Sequence, residues 1–243
     1  MMVAEIFWIS LLTISASALG TISGFGISTL MVPIMLFFLP YPETLLFVGV
    51  VHWFGDVSKL SIFKKGLNWK ILLAFGIPGI IAAYIGATLT FQISTVILSR
   101  IVGVFLIAYV AFITLRPKFK IKPNVASALI GGGFSGLLGG LTGVGGGAIR
   151  AVVLTAFNLQ KEIYVFTTGI VGATVDASRI AGYFVGGTKI NHTLLIGLPF
   201  FVLMSFLGVK IGKIMVDKIP QEKFRFVVAF FLLAIGIKFA FFP

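Results

Sequence analysis

Gly20-Thr21-Ile22-Ser23-Gly24-Phe25-Gly26 and Gly139-Gly140-Leu141-Thr142-Gly143-Val144-Gly145 share the pattern G-x-x-[ST]-G-x-G, 119 residues apart. Each lies inside an apolar stretch, 3–39 and 125–157. Both stretches are far longer than the roughly 20 residues one membrane crossing needs. Glycine permits positive φ and close backbone approach, so each stretch is expected to be a helix, a break and a second helix. Two more echoes follow in order. Asp56-Val57-Ser58-Lys59 parallels Asp176-Ala177-Ser178-Arg179 at a spacing of 120, and Gly76-Ile77-Pro78 parallels Gly197-Leu198-Pro199 at 121. Three matches at near-constant spacing argue for an internal duplication. The expected division is an N-terminal repeat 1–117, a basic linker 118–124 and a C-terminal repeat 125–243, all within one transmembrane domain.

The composition agrees with a membrane setting. Of 243 residues, 58% are hydrophobic and 11% charged, whereas a soluble domain is about a quarter charged. Six further stretches, 44–63, 69–90, 93–114, 162–185, 192–213 and 224–242, each have the length of one crossing. The start does not read as a removable signal peptide, since Glu5 is its only charge and no basic region precedes the apolar run. The net charge of +12 is a topology signal. Lys64, Lys65 and Lys70, then Arg116, Lys118, Lys120 and Lys122, then Lys161, then Lys213, Lys218, Lys223 and Arg225 fill four connections. The other connections hold only Glu43, Arg100 or Lys189. The positive-inside rule places the basic connections in the cytoplasm and both termini outside. Loops on either side of 125–157 share one face only if that stretch enters and returns. The second half then begins on the opposite face from the first, so the repeats are inverted. Such halves with paired broken helices suit a transporter whose site lies between them at mid-depth. Whether each hairpin arm spans fully stays open at this point.

Several residues could carry chemistry there. A helix N-terminus with free N–H groups attracts an anion, so Ser23, Gly24, Gly26, Ser28, Thr142, Gly143, Gly145 and Gly146 are candidate ligand contacts, with Thr29 adding a hydroxyl. The alternative reading of such glycines is tight helix packing. Charges inside spans are costly and mark sites. Arg150 follows the second break, with no acidic residue within one turn. It is expected to hold an anion, supported by Arg179 or Lys59; the alternatives are pairing with Asp56 or Asp176, or snorkelling. Asp56–Lys59 and Asp176–Arg179 are i,i+3 pairs able to bridge on one helix face. His52 lies one turn before Asp56, so His52, Asp56 and Asp176 are proton-coupling candidates. Trp8, Trp53, Trp69 and Tyr41 could mark membrane interfaces. No catalytic or metal motif is present, there is no Cys, and residues 143–147 lack the Lys-Ser/Thr of a phosphate loop. No enzyme activity, cofactor, metal or nucleic-acid partner is expected.

These residues, above all Gly143-Val144-Gly145-Gly146-Gly147, resemble the G-x-G-G-G signature of the sulfite exporter TauE/SafE family, and the resemblance covers essentially the whole chain. The chain departs from that pattern at Val152, where a Pro is usual, and at Arg150, where an apolar residue is usual. The resemblance implies a secondary active transporter exporting a small sulfur-containing anion (sulfite, a sulfonate or a related organosulfur anion) across a bacterial-type inner membrane, with or without proton coupling. The expected partners are that anion and the lipid bilayer; a homodimer is an open expectation. A passive anion channel, a transporter of another small anion such as a carboxylate, and a non-transporting membrane subunit are the rival readings.

Overall fold

The computed structural model describes residues 2–63, 69–90, 94–116 and 123–242. Lys64, Lys65, Lys118, Lys120 and Lys122, and most of the 118–124 linker, lie outside the described residues. The described elements are all helices: α1 Met2–Ser23, α2 Ser28–Met35, α3 Tyr41–Ile62, α4 Trp69–Leu89, α5 Thr95–Leu115, α6 Val125–Thr142, α7 Gly145–Ala156, α8 Lys161–Val185, α9 His192–Lys218 and α10 Gln221–Phe241. Five segments are long and apolar enough to cross a membrane: Val3–Ser23, Tyr41–Ile62, Trp69–Leu89, Val125–Thr142 and His192–Lys218. Among the described residues the chain is all-helical, with the spans of a multi-pass membrane protein. α8 has the length for a crossing, at 25 residues, but carries Lys161, Glu162, Asp176 and Arg179 within it.

Both glycine motifs interrupt helices, between α1 and α2 and between α6 and α7. The return arms are short. α2 has 8 residues and α7 has 12. At about 1.5 Å per residue neither reaches across a hydrocarbon core about 30 Å thick. Each hairpin therefore has one full-length arm and one partial arm.

Small residues set the packing. Gly132, Gly136 and Gly140 of α6 lie one turn apart and abut the backbone of α4 at Phe75, Gly79 and Ala83, where any Cβ would collide. This is the small-residue face that lets membrane helices approach closely. On the other side α9 meets α1 in the same manner: Gly208 and Gly212 abut the carbonyls of Ile14 and Ala18, and Ser17 Oγ donates to the Ser205 carbonyl at 2.7 Å. Between these two layers α3 packs on α8, and α5 packs on α10. Large apolar side chains such as Phe7, Trp8, Phe37, Trp69 and Phe230 point outward, as a lipid-facing surface requires. The hydroxyl of Tyr41, at the start of α3, donates to the Leu141 carbonyl at 2.9 Å, beside the second break.

Candidate functional site

The two breaks are built alike. Ser23 Oγ donates to the Leu19 carbonyl at 2.9 Å and accepts from Phe25 N at 3.4 Å. Thr142 Oγ1 donates to the Leu138 carbonyl at 2.8 Å and accepts from Gly145 N at 3.0 Å and Val144 N at 3.3 Å. Each hydroxyl thus ties off the end of one helix and holds the turn that starts the next, which answers the need to satisfy backbone groups at membrane depth. In this structure both hydroxyl protons are committed to carbonyls rather than free for a ligand. Gly26, at φ 80°, presses so closely on the His52 ring that a Cβ would overlap it, and Gly143 ends α6 at φ 73°. Gly145 and Gly146 open α7, and Gly147 abuts the Phe25 backbone, so the two breaks touch.

Tyrosines hold the same region. The hydroxyl of Tyr164 donates to the Ser23 carbonyl at 2.8 Å and lies against Gly24, while Tyr183 donates to the Gly140 carbonyl. Sequence reasoning missed both. The signal was there in principle, since carbonyls freed at a break need donors, and these tyrosines lie on α8, the helix after the second hairpin.

His52, Asp56, Lys59, Arg150, Asp176 and Arg179 are all buried, and they are the buried acidic, basic and imidazole side chains among the described residues. They form one cluster where α3, α7 and α8 meet the breaks. Asp176 Oδ1 accepts from Arg179 Nε at 2.6 Å, and Asp56 Oδ1 accepts from Lys59 Nζ at 2.6 Å. The two i,i+3 bridges therefore both form. Lys59 is 1% exposed, so it does not snorkel toward the membrane surface. Arg179 Nη2 donates to Ser28 Oγ at 3.0 Å, and its Nη1 reaches the Gly143 carbonyl at 3.5 Å. One guanidinium thereby touches the start of α2 and the end of α6.

His52 stands between the carboxylates. Its Nδ1 is 2.9 Å from Asp176 Oδ2 and 2.8 Å from Ser28 Oγ; its Nε2 is 3.5 Å from Asp56 Oδ2. Arg150 is the least satisfied member. Its Nη2 is 3.9 Å from Asp56 Oδ2, beyond hydrogen-bond reach, and Nε and Nη2 are buried without a hydrogen-bond partner. Asp56 Oδ2, His52 Nε2 and Thr29 Oγ1 are likewise buried and unpartnered. Gly172 of α8 faces this gap, and a Cβ there would overlap Asp56 Oδ2 and come within 2.9 Å of Arg150 Nη1. Gly172 was not singled out in the sequence, although it lies one turn before Asp176 on the same face.

His52, Asp56 and Asp176 can bring one donor atom each within 4.8 Å of one another. Three cationic side chains already compensate the two carboxylates, so a metal ion there would add to a positive surplus. The cluster is suited to an anion.

A family model described as Sulfite exporter TauE/SafE matches residues 9–239. A protein of Methanocaldococcus jannaschii, described as "Probable membrane transporter protein", is 26% identical over 252 residues, covering 90% of this chain and 89% of its own length. No solved structure matches the chain.

Proposed function

Since this chain belongs to the sulfite exporter TauE/SafE family, a family of membrane transporters and not of enzymes, we propose that it is a secondary active transporter exporting a small sulfur-containing anion (sulfite, a sulfonate or a related organosulfur anion) across the inner membrane. The binding site in this reading is the space between the two broken helices, bounded by Arg150, Asp56, Gly172 and the start of α7.

The charge balance of the buried cluster carries the reading. Three cations, Lys59, Arg150 and Arg179, are buried with two carboxylates, Asp56 and Asp176. A buried charge without a partner costs several kcal/mol, so the surplus cation favours one added negative charge. Arg150 is that surplus cation, because its Nε and Nη2 lack hydrogen-bond partners while Lys59 and Arg179 each hold a carboxylate at 2.6 Å. Its planar guanidinium can grip two oxygens of a sulfite or sulfonate group at once. The dipole at the N-terminus of α7 adds to the same field. His52, Asp56 and Asp176 form a chain of ionisable groups that suits proton coupling to the anion.

Two inverted repeats, 1–117 and 125–243, belong to the same proposal. The packing partners support it, since α1 lies on α9 where α6 lies on α4, while α3 pairs with α8 and α5 with α10. Both termini outside is the orientation this reading takes.

The test is flux in liposomes containing the purified protein. Saturable uptake of sulfite or methanesulfonate that shows counterflow is expected. Arg150→Gln should reduce it by about a hundredfold, the effect of removing a buried charge-assisted contact worth roughly 3 kcal/mol, while the variant stays folded. Wild-type flux in Arg150→Gln removes Arg150 from the site. Flux without saturation or counterflow identifies a channel, and no flux of any sulfur oxyanion ends the proposal.

A further inference from the structure

We infer that His52 is a charge-matching residue: it stays neutral when the cluster holds a singly charged anion and takes up one proton when the cluster holds a doubly charged one. The inference rests on the anion-site reading above and deepens it, because it says which charge states of the substrate one site accepts.

Three buried cations stand against two carboxylates, a surplus of one positive charge when His52 is neutral. A sulfonate carries one negative charge and balances that surplus. Sulfite above its second ionisation carries two, and would leave one negative charge buried. The cluster contains a group able to supply the missing positive charge, since histidine is the side chain whose charge ordinarily changes near neutral pH.

The geometry suits that role. His52 has one ring nitrogen toward each carboxylate, Nδ1 at 2.9 Å from Asp176 Oδ2 and Nε2 at 3.5 Å from Asp56 Oδ2. Nε2 and Asp56 Oδ2 are both buried and unpartnered. A proton added at Nε2 therefore points at an open carboxylate oxygen. Asp56 Oδ2 is also the carboxylate oxygen that faces Arg150, with Nη2 at 3.9 Å. Once the imidazolium compensates Asp56, Arg150 is free to turn its full charge on the anion. The step forms one N–H bond at Nε2, breaks one bond to hydrogen in a buffer acid, whose conjugate base stays in solution, and leaves the bonds of the anion intact.

The other charged groups around His52 are paired or exposed. Lys59 on α3 and Arg179 on α8 are each bound to a carboxylate, and α2 presents only the hydroxyl of Ser28. On α9, which also packs on α3, Lys210 and Asp217 are exposed and Lys213 is paired with Asp217. Gly26 presents no side chain where a Cβ would overlap the ring.

The experiment is calorimetric titration of the purified full chain with sulfite and with methanesulfonate. It is run at one mildly alkaline pH in two buffers of different ionisation enthalpy, so that the buffer dependence of the heat counts protons. Sulfite binding should take up about one proton per anion and methanesulfonate binding about none. His52→Gln should abolish the sulfite-linked uptake and shift the preference from sulfite toward methanesulfonate by about tenfold. Equal proton uptake with both anions in the wild type overturns the inference and leaves the anion site standing. Uptake that persists in His52→Gln, folded by its cooperative thermal transition, also overturns it, because the proton then rides on the anion as bisulfite. Binding of neither anion removes the site itself. If the variant does not fold, sulfate, which stays a dianion at this pH, replaces sulfite in the wild type: uptake of about one proton supports the inference, and uptake of none overturns it.

Discussion

The Asp56–Lys59 bridge of α3 and the Asp176–Arg179 bridge of α8 have the same residue spacing, the same 2.6 Å contact and the same burial, yet their surroundings differ. Arg179 spends its other donors on Ser28 and the Gly143 carbonyl, so its bridge fastens both breaks to α8. Lys59 has no such second contact among those resolved, and the far oxygen of Asp56 is left facing Arg150 across 3.9 Å. At the spacing of 120, Gly49 lines up with Gly169 and His52 with Gly172 in the sequence. A Cβ at Gly169 would stand 3.1 Å from Lys59 Cβ, and one at Gly49 3.7 Å from Arg179 Cζ. The comparison teaches that two bridges of one sequence spacing can differ in role: one ties off helix ends, and the other leaves a carboxylate oxygen and guanidinium donors without hydrogen-bond partners.

Removing a carboxylate from each bridge is the strongest way to break that comparison. Asp176→Asn leaves the Arg179 guanidinium buried without its counter-ion, and should cost about 3–5 kcal/mol. The thermal unfolding midpoint in detergent should fall sharply, with or without added anion. A wild-type midpoint would show that this bridge fastens nothing. Asp56→Asn should lose nearly as much in anion-free buffer, because Lys59 and Arg150 are then both uncompensated. Here methanesulfonate should restore stability, by about 2.7 kcal/mol when it exceeds its dissociation constant a hundredfold. Equal response of the two variants to the anion would erase the distinction between a closed and an open bridge.

Gly26 is the next test, and it bears on the asymmetry at His52. An alanine at φ 80° is strained, and its Cβ would overlap the imidazole. Gly26→Ala should cost about 1–3 kcal/mol and displace His52 from the carboxylates. Sulfite flux should fall more than methanesulfonate flux. Equal losses of both would mean that the ring position does not affect which anion is carried.

Much of this was legible in the sequence because it depends on neighbours along the chain. Hydropathy places the single-crossing helices to within one to five residues at their ends, from 162–185 against α8 Lys161–Val185 to 192–213 against α9 His192–Lys218. The glycine motifs mark the breaks because only glycine tolerates the conformations at Gly26 and Gly143. The i,i+3 bridges follow from helix geometry. Contacts across helices were not legible. Lys59 lies near a helix end in the sequence, and only the packing of α8 against α3 encloses it. Arg150 and Asp56 are 94 residues apart, and with no periodicity to link them their approach stood only as one alternative among several. The shortness of α2 was hidden because Leu36–Leu39 continues the apolar run after the helix has ended.

The smallest expected effect comes from Ser28, the hydroxyl that the closed bridge has and the open one lacks. Ser28 Oγ accepts from Arg179 Nη2 at 3.0 Å and lies 2.8 Å from His52 Nδ1. At spacings of 119 and 120 the second half holds Gly147 and Ala148, neither of which carries a hydroxyl. Ser28→Ala makes the first half resemble the second at this point. One hydrogen bond to a charged donor is lost, but Arg179 keeps Asp176 and a 3.3 Å contact with His52 Nδ1, so the cost should be about 1 kcal/mol. The unfolding midpoint should drop slightly, and Ser28→Thr, which keeps the hydroxyl, should recover most of the loss. The anion should bind Ser28→Ala nearly as it binds the wild type, since the open side of the cluster is Arg150 and Asp56. If Ser28→Ala instead weakens the anion as strongly as Arg150→Gln does, the ligand lies at the start of α2, and the two bridges exchange their roles.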